Sequence, residues 1–80
     1  MKNTNLFKFS NKKILFLGYD TTETKLINFI KNYNIKVTQT NQKLNKSVKS
    51  YDIIICFGYR HIIKKNFIDK CNCPIINLHI

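Results

Sequence analysis

Two short apolar runs, each shut off by a glycine, set the frame for this chain. They are Lys13-Ile-Leu-Phe-Leu-Gly18 and Asp52-Ile-Ile-Ile-Cys-Phe57, the second followed by Gly58. Neither run alternates apolar with polar residues, as a strand with one wet face would. Continuous runs of this length suit strands covered on both faces, which is the environment of a parallel sheet. A glycine at the end of such a strand lets the backbone turn where a side chain would block it.

The segments between the runs supply crossovers. Asp20-Thr-Thr-Glu23 reads as a capping box, with Asp20 as N-cap and Glu23 reaching back. Leu26, Ile27, Ile30 and Tyr33 follow at helical spacing, and Asn34 is a C-terminal stop. Residues 35–40 form a β-branched strand, and residues 41–50 a polar connection. A short helix is expected over 62–70, with Ile63, Phe67 and Cys71 spaced four apart. Residues 74–80 read as a last strand, with proline tolerated at its first position.

This alternation predicts an α/β fold: a Rossmann-like open parallel sheet of about four strands with helices on its faces. Right-handed crossovers make 2-1-3-4 the simplest strand order. Residues 1–11 read as a polar lead-in and 12–80 as one domain. Ligands of such sheets sit beyond the carboxyl ends of the strands, where the winding reverses. Here that crevice is expected between residues 18–22 and 57–63.

Charge does not redirect this reading. The net charge is +10, from 14 Lys and Arg against 4 Asp and Glu. Nucleic-acid binders cluster such charge on one face and interleave it with aromatics. In this chain the lysines are scattered from Lys2 to Lys70, and Arg60 is the single arginine. The chain is also rich in Lys, Asn and Ile and has no Ala, which is the vocabulary of AT-rich codons. A basic face that attracts a diphosphate remains compatible. There is no apolar stretch long enough to span a bilayer and no apolar core of a signal peptide, so a cytoplasmic protein is expected.

Cys56, Cys71 and Cys73 are an odd number and make no disulfide framework, and a cytosolic chain would keep them reduced. The spacing Cys71-Asn-Cys73 does not match a zinc knuckle, and no second pair exists, so no metal is expected. The plain expectation is one core thiol and two loop thiols.

Two places could carry chemistry. Along the last strand, Ile75, Asn77 and His79 share one face, and Ile76, Leu78 and Ile80 the other. A carboxamide and an imidazole two apart can both donate to one oxygen, the equipment of an oxyanion site for acyl transfer. Taken alone, a strand histidine more often reads as a satisfied core or rim residue. The second place is the turn Phe57-Gly-Tyr-Arg-His61, whose backbone groups could pair with a flat heterocycle. By spacing alone it reads as a strand-to-helix turn with Arg60 and His61 solvated. Gly18-Tyr-Asp20 is not a dinucleotide fingerprint, and there is no Walker A motif. Asp20 reads as a helix cap rather than a catalytic acid.

Three runs in this order and spacing resemble the N-terminal part of folate-dependent formyltransferases. They are Ile14-Leu-Phe-Leu-Gly-Tyr-Asp20, Tyr51-Asp-Ile-Ile-Ile-Cys-Phe-Gly-Tyr-Arg-His-Ile-Ile-Lys64 and Pro74-Ile-Ile-Asn-Leu-His-Ile80. The resemblance covers residues 13–80 and is nearest to the enzymes of nucleotide-linked amino sugars. It implies catalytic roles for Asn77 and His79, which match the family's Asn-x-His. It implies that Phe57, Gly58, Tyr59, Arg60, His61, Ile62 and Ile63 form the loop whose main chain holds the pterin of 10-formyltetrahydrofolate. The acceptor would be the amine of a nucleotide-linked amino sugar, with neither nucleic acid nor membrane as partner. A homodimer is one arrangement open to the full-length protein.

The implied reaction is attack of the sugar's amine on the formyl carbon, with Asn77 and His79 stabilising the oxyanion. The family's active-site Asp lies beyond Ile80, and its Ser and Leu-Pro-Gly continuation is not reached. The resemblance therefore implies an incomplete domain, inactive and marginally folded alone, with its last strand an open edge. Two other readings stay open: a non-catalytic α/β module for a nucleotide or anion, and a small basic nucleic-acid-binding protein.

Overall fold

The computed structural model describes residues 11–44, 51–71 and 73–78. Its elements run β1 (Lys13–Gly18), α1 (Leu26–Lys31), β2 (Lys36–Thr40), β3 (Ile53–Phe57), α2 (Lys65–Lys70) and β4 (Ile75–Leu78). The strands form one sheet in the order β2-β1-β3-β4, and each adjacent pair is parallel. This is the expected open α/β sheet in the expected order.

Burial follows from that order. β1 is paired on both edges, and its residues Ile14, Leu15, Phe16 and Leu17 are all buried. In parallel register the partners Leu15↔Ile54, Leu17↔Cys56 and Ile54↔Ile75 share one face. Leu15, Leu17, Ile54 and Cys56 form a buried cluster there, with Ile63, Phe67, Cys71, Cys73 and Ile75 packed against it. The spacing of Ile63, Phe67 and Cys71 thus marks the face that α2 turns to the sheet. Crossovers that leave β1 and β3 in opposite directions put α1 and α2 on opposite faces when both are right-handed. Accordingly α1 lies against β2, contributes the buried Ile27, and supplies no residue to the α2 cluster.

Both helices start later than the sequence suggests. Asp20 and Glu23 do form the reciprocal capping contacts. The Asp20 carboxylate accepts from the Glu23 N–H at 3.2 Å, and Glu23 Oε1 accepts from the Asp20 N–H at 3.1 Å. They close a turn over Thr21, Thr22 and Glu23, and the regular helix begins only at Leu26. The physical reason is local competition. Thr24 Oγ1 accepts from the Leu26 N–H at 3.2 Å, a side-chain bond that interrupts the helical ladder. Asp20 is therefore a turn cap, and Lys25 takes the N-cap position without a side-chain bond. The second helix starts at Lys65, not at residue 62, because Lys64 is extended (φ −69, ψ 150).

α1 ends at Lys31 with Asn32 as its C-cap, earlier than expected, and a turn over residues 32–34 follows that stops at Asn34, in the left-handed region at φ 60. Asn11, assigned to the lead-in by its polarity, is tied to that stop. Its N–H donates to the Asn34 carbonyl at 2.9 Å, and Asn34 Nδ2 donates to Asn11 Oδ1 at 3.2 Å. Residues 1–10 lie outside the described residues, as do 45–50 of the polar connection.

β4 lies at one edge of the sheet among the described residues. Pro74 precedes it, and the Pro74 carbonyl accepts from the Ile54 N–H at 3.0 Å. Ile76 and Leu78 face away from the α2 cluster and are both exposed, at 43% and 36%. Among the described residues no helix is long and apolar enough to cross a membrane.

Candidate functional site at the carboxyl ends of β1 and β3

Neighbouring strands β1 and β3 send their chains to opposite sides of the sheet, so the winding reverses between them. A cleft of about 190 Å³ opens at that point, lined by Gly18, Tyr19, Glu23, Asn41, Gly58, Arg60 and His61. It is built by two glycines. Gly18 has φ 120, and a Cβ there would run into the main chain of Phe57. Gly58 has φ 72, and a Cβ there would run into the ring of Tyr19. Both backbones are in the region L side chains avoid, and both approaches require a missing side chain.

Further contacts fix the walls. The Tyr19 N–H donates to the Phe57 carbonyl at 2.9 Å, joining the two strand ends. The rings of Tyr19 and Phe57 meet edge to face at 5.0 Å. Gln39 Nε2 donates to the Gly18 carbonyl at 2.8 Å, so β2 braces the first turn. The Tyr59 hydroxyl donates to the Gln42 carbonyl at 2.7 Å, and the His61 ring lies edge-on to Tyr59 at 5.4 Å. Burial pushes the Tyr59 phenol above its ordinary value.

At the rim, the Asp20 carboxylate accepts from the Thr22 hydroxyl at 2.6 Å and the Thr22 N–H at 2.9 Å. The Thr22 hydroxyl bond leads the effects that hold this carboxyl below its usual range. Its Oδ1 accepts from Thr22 and from the Glu23 N–H, all within its own turn. This is the arrangement of a structural cap and not of a proton-transfer group.

Of the seven residues expected in the donor loop, the structure brings Gly58, Arg60 and His61 to the cleft. Phe57 stands behind them, against Tyr19 and Phe16. Tyr59 and Ile63 turn to the α2 cluster. Ile62 is 89% exposed. Two lining residues escaped the sequence reading. Asn41 sits in a polar stretch with no motif to mark it, and Glu23 was absorbed as a cap.

Asn77 lies at the carboxyl end of β4, one position before Leu78, and is exposed. Its register partner is Cys56, and the next pair is Phe57↔Leu78. It therefore stands one strand from the turn that begins at Gly58, but it is not among the residues that line the cleft. His79 lies outside the described residues. Ile75 and Asn77 share the face of the α2 cluster, and Ile76 and Leu78, both exposed, lie on the opposite face.

Among the described residues no group of three His, Cys, Asp or Glu side chains is placed to hold a metal ion. Comparison with protein-family models, with curated proteins and with solved structures found no match to this chain.

Proposed function

We propose that this domain carries the donor-binding end of a folate-dependent formyltransferase that acts on the amine of a nucleotide-linked amino sugar, in the cytoplasm. The observation that carries the reading is one of placement. The glycine-built cleft of Gly18, Tyr19, Gly58, Arg60 and His61 sits at the winding reversal, and Asn77 is exposed at the end of the adjoining strand.

Size and backbone access are what support a donor site for one end of 10-formyltetrahydrofolate. At about 190 Å³ it is smaller than the ~300–1,000 Å³ of sites that enclose a whole ligand, so it would grip a single ring system. Gly58 gives close access to the main chain of the turn. Among the described residues, no backbone hydrogen bond joins Arg60 or His61 to another main-chain group. That is the condition for a backbone edge to pair with a pterin. The Asn77 carboxamide supplies N–H donors at the strand end. When an amine adds to the formyl carbon, the carbonyl oxygen gains negative charge, and Asn77 together with His79 would donate to it. Removing one such donor typically costs about a hundredfold or more in rate.

A second reading is supported by Arg60 and His61, both exposed and both at the cleft. In that reading the domain is a non-catalytic module for a nucleotide or other anion. Calorimetric titration separates the two. The formyltransferase reading expects saturable heat with 5-formyltetrahydrofolate, a stable donor analogue, and little loss of affinity in Arg60→Ala. Binding of a nucleoside diphosphate alone, abolished by Arg60→Ala, would favour the anion module and count against the donor site.

A further inference from the structure

Away from the cleft, at the turn between α2 and β4, two of the three thiols meet. Cys71 Sγ and Cys73 Sγ are 3.2 Å apart, and Cys71 Sγ also lies 3.7 Å from the Cys73 carbonyl oxygen. One arrangement serves both thiols: Cys71 donates to the carbonyl, and Cys73 donates to the Cys71 sulfur. Both side chains are half-buried and rest against the Leu15, Leu17, Ile54 and Cys56 cluster. The third thiol, Cys56, is buried within the sheet.

We propose that Cys71 and Cys73 form an oxidisable dithiol, a modification site that closes to an intramolecular disulfide by exchange with a low-molecular-weight disulfide. The proposal is independent of what the cleft binds. Two features of the turn argue for it. First, Cys71 is the C-cap of α2 with an extended backbone (φ −81, ψ 126), so the helix does not continue past it. Second, Pro74 and its bond from the Ile54 N–H anchor the far side of the turn. Fixed on both sides, the sulfurs are held in contact before any bond forms.

The order of attack follows from the surroundings. Burial, aided by the hydrogen bond to Cys71, pushes the Cys73 thiol up to about 11, so it stays protonated. Cys71 is then the attacking group, because only the thiolate is nucleophilic. Cys71 gives its proton to solvent, its sulfur attacks one sulfur of the small disulfide, and one small thiolate leaves and takes up a proton. Cys73 gives its proton to solvent, attacks the Cys71 sulfur, and expels the second small thiolate. Two protein thiols are oxidised, one small disulfide is reduced to two thiols, and atoms and electrons balance. A loop of this size gains little stability from closure, so the bond acts as a reversible clasp on the α2–β4 turn rather than a staple.

The test uses the whole chain. After incubation with excess oxidised glutathione, the protein is unfolded, alkylated with iodoacetamide and cut with trypsin. The C-terminal peptide that starts at Cys71 is expected to be lighter by two hydrogens and unalkylated, with Cys56 alkylated. Dithiothreitol should restore two alkylatable thiols. Cys73→Ser is expected to trap one glutathione on Cys71, and a variant that takes up none contradicts the proposal. Two free thiols, two separate glutathione adducts, or a link to Cys56 would overturn it.

Discussion

The ring of Tyr19 occupies the space that a side chain on Gly58 would need. This one contact joins the turn after β1 to the turn after β3 and shapes the cleft between them. It also separates two reasons for a glycine at position 58. One is the backbone, at φ 72, and the other is the neighbouring ring. Gly58→Ala is expected to cost about 1–3 kcal/mol, the range for a non-glycine residue held in a left-handed conformation. In a Tyr19→Ala background the steric part disappears and the backbone part stays. Denaturant midpoints of the four proteins in the cycle should therefore show a smaller cost for Gly58→Ala when Tyr19 is absent. Equal costs in both backgrounds would show that the ring is irrelevant.

Gly18 offers no such relief. A Cβ there meets the main-chain carbonyl of Phe57, and φ is 120. Gly18→Ala should be the more damaging of the two glycine changes, because the strand ends themselves must separate. Far-ultraviolet circular dichroism and urea melts check this. A Gly18→Ala protein as stable as wild type would contradict the geometry.

Asp20 gives the fold a pH dependence of known sign. Its carboxyl is held below the ordinary value of 3.8, first by the Thr22 hydroxyl. A depressed folded-state pKa means the stabilisation is present above the unfolded value and is lost as pH falls through the folded one. The stability difference between wild type and Asp20→Asn should be constant near neutrality and shrink as pH falls below about 4. Urea midpoints measured from neutral pH down into that acid range would show it. A difference that does not change with pH would mean the charge on Asp20 contributes nothing to the turn.

Burial sets a contrast between two isoleucines. Ile54 is 0% exposed at the centre of the α2 cluster, whereas Ile62 is 89% exposed beside the cleft. Ile54→Ala is expected to cost about 2–5 kcal/mol. Ile62→Ala should fall within about 0.5 kcal/mol of wild type. Thermal or urea melts decide it, and comparable losses at both positions would contradict the packing described.

Strand identity and order were legible because the signals are strong and local. After Lys13 and Asp52, the runs ending at Gly18 and at Phe57 have no polar residue to place outside, which suits strands within a parallel sheet. The starts of the helices were less legible. A capping box reports a turn that needs its N–H groups satisfied, and at Asp20 that turn is followed by Thr24, whose hydroxyl competes for the next donor. The switch-point crevice followed from topology, and with it Gly18, Gly58, Arg60 and His61. The division of the loop was not legible. Whether Tyr59 or Arg60 faces the cleft depends on how Gly58 rotates the chain at φ 72, which periodicity does not report. Asn41 reaches the site from the position just after β2, at the start of a polar stretch that no motif marks.

Amide chemical shifts in the presence of 5-formyltetrahydrofolate test the central claim most directly. The account predicts saturable shifts at Gly18, Tyr19, Gly58, Arg60 and His61, extending to Asn77, with α1 and the Cys71–Cys73 turn unchanged. Shifts confined to other surfaces, or no shifts at concentrations where a nucleoside diphosphate perturbs the same cleft, would contradict it.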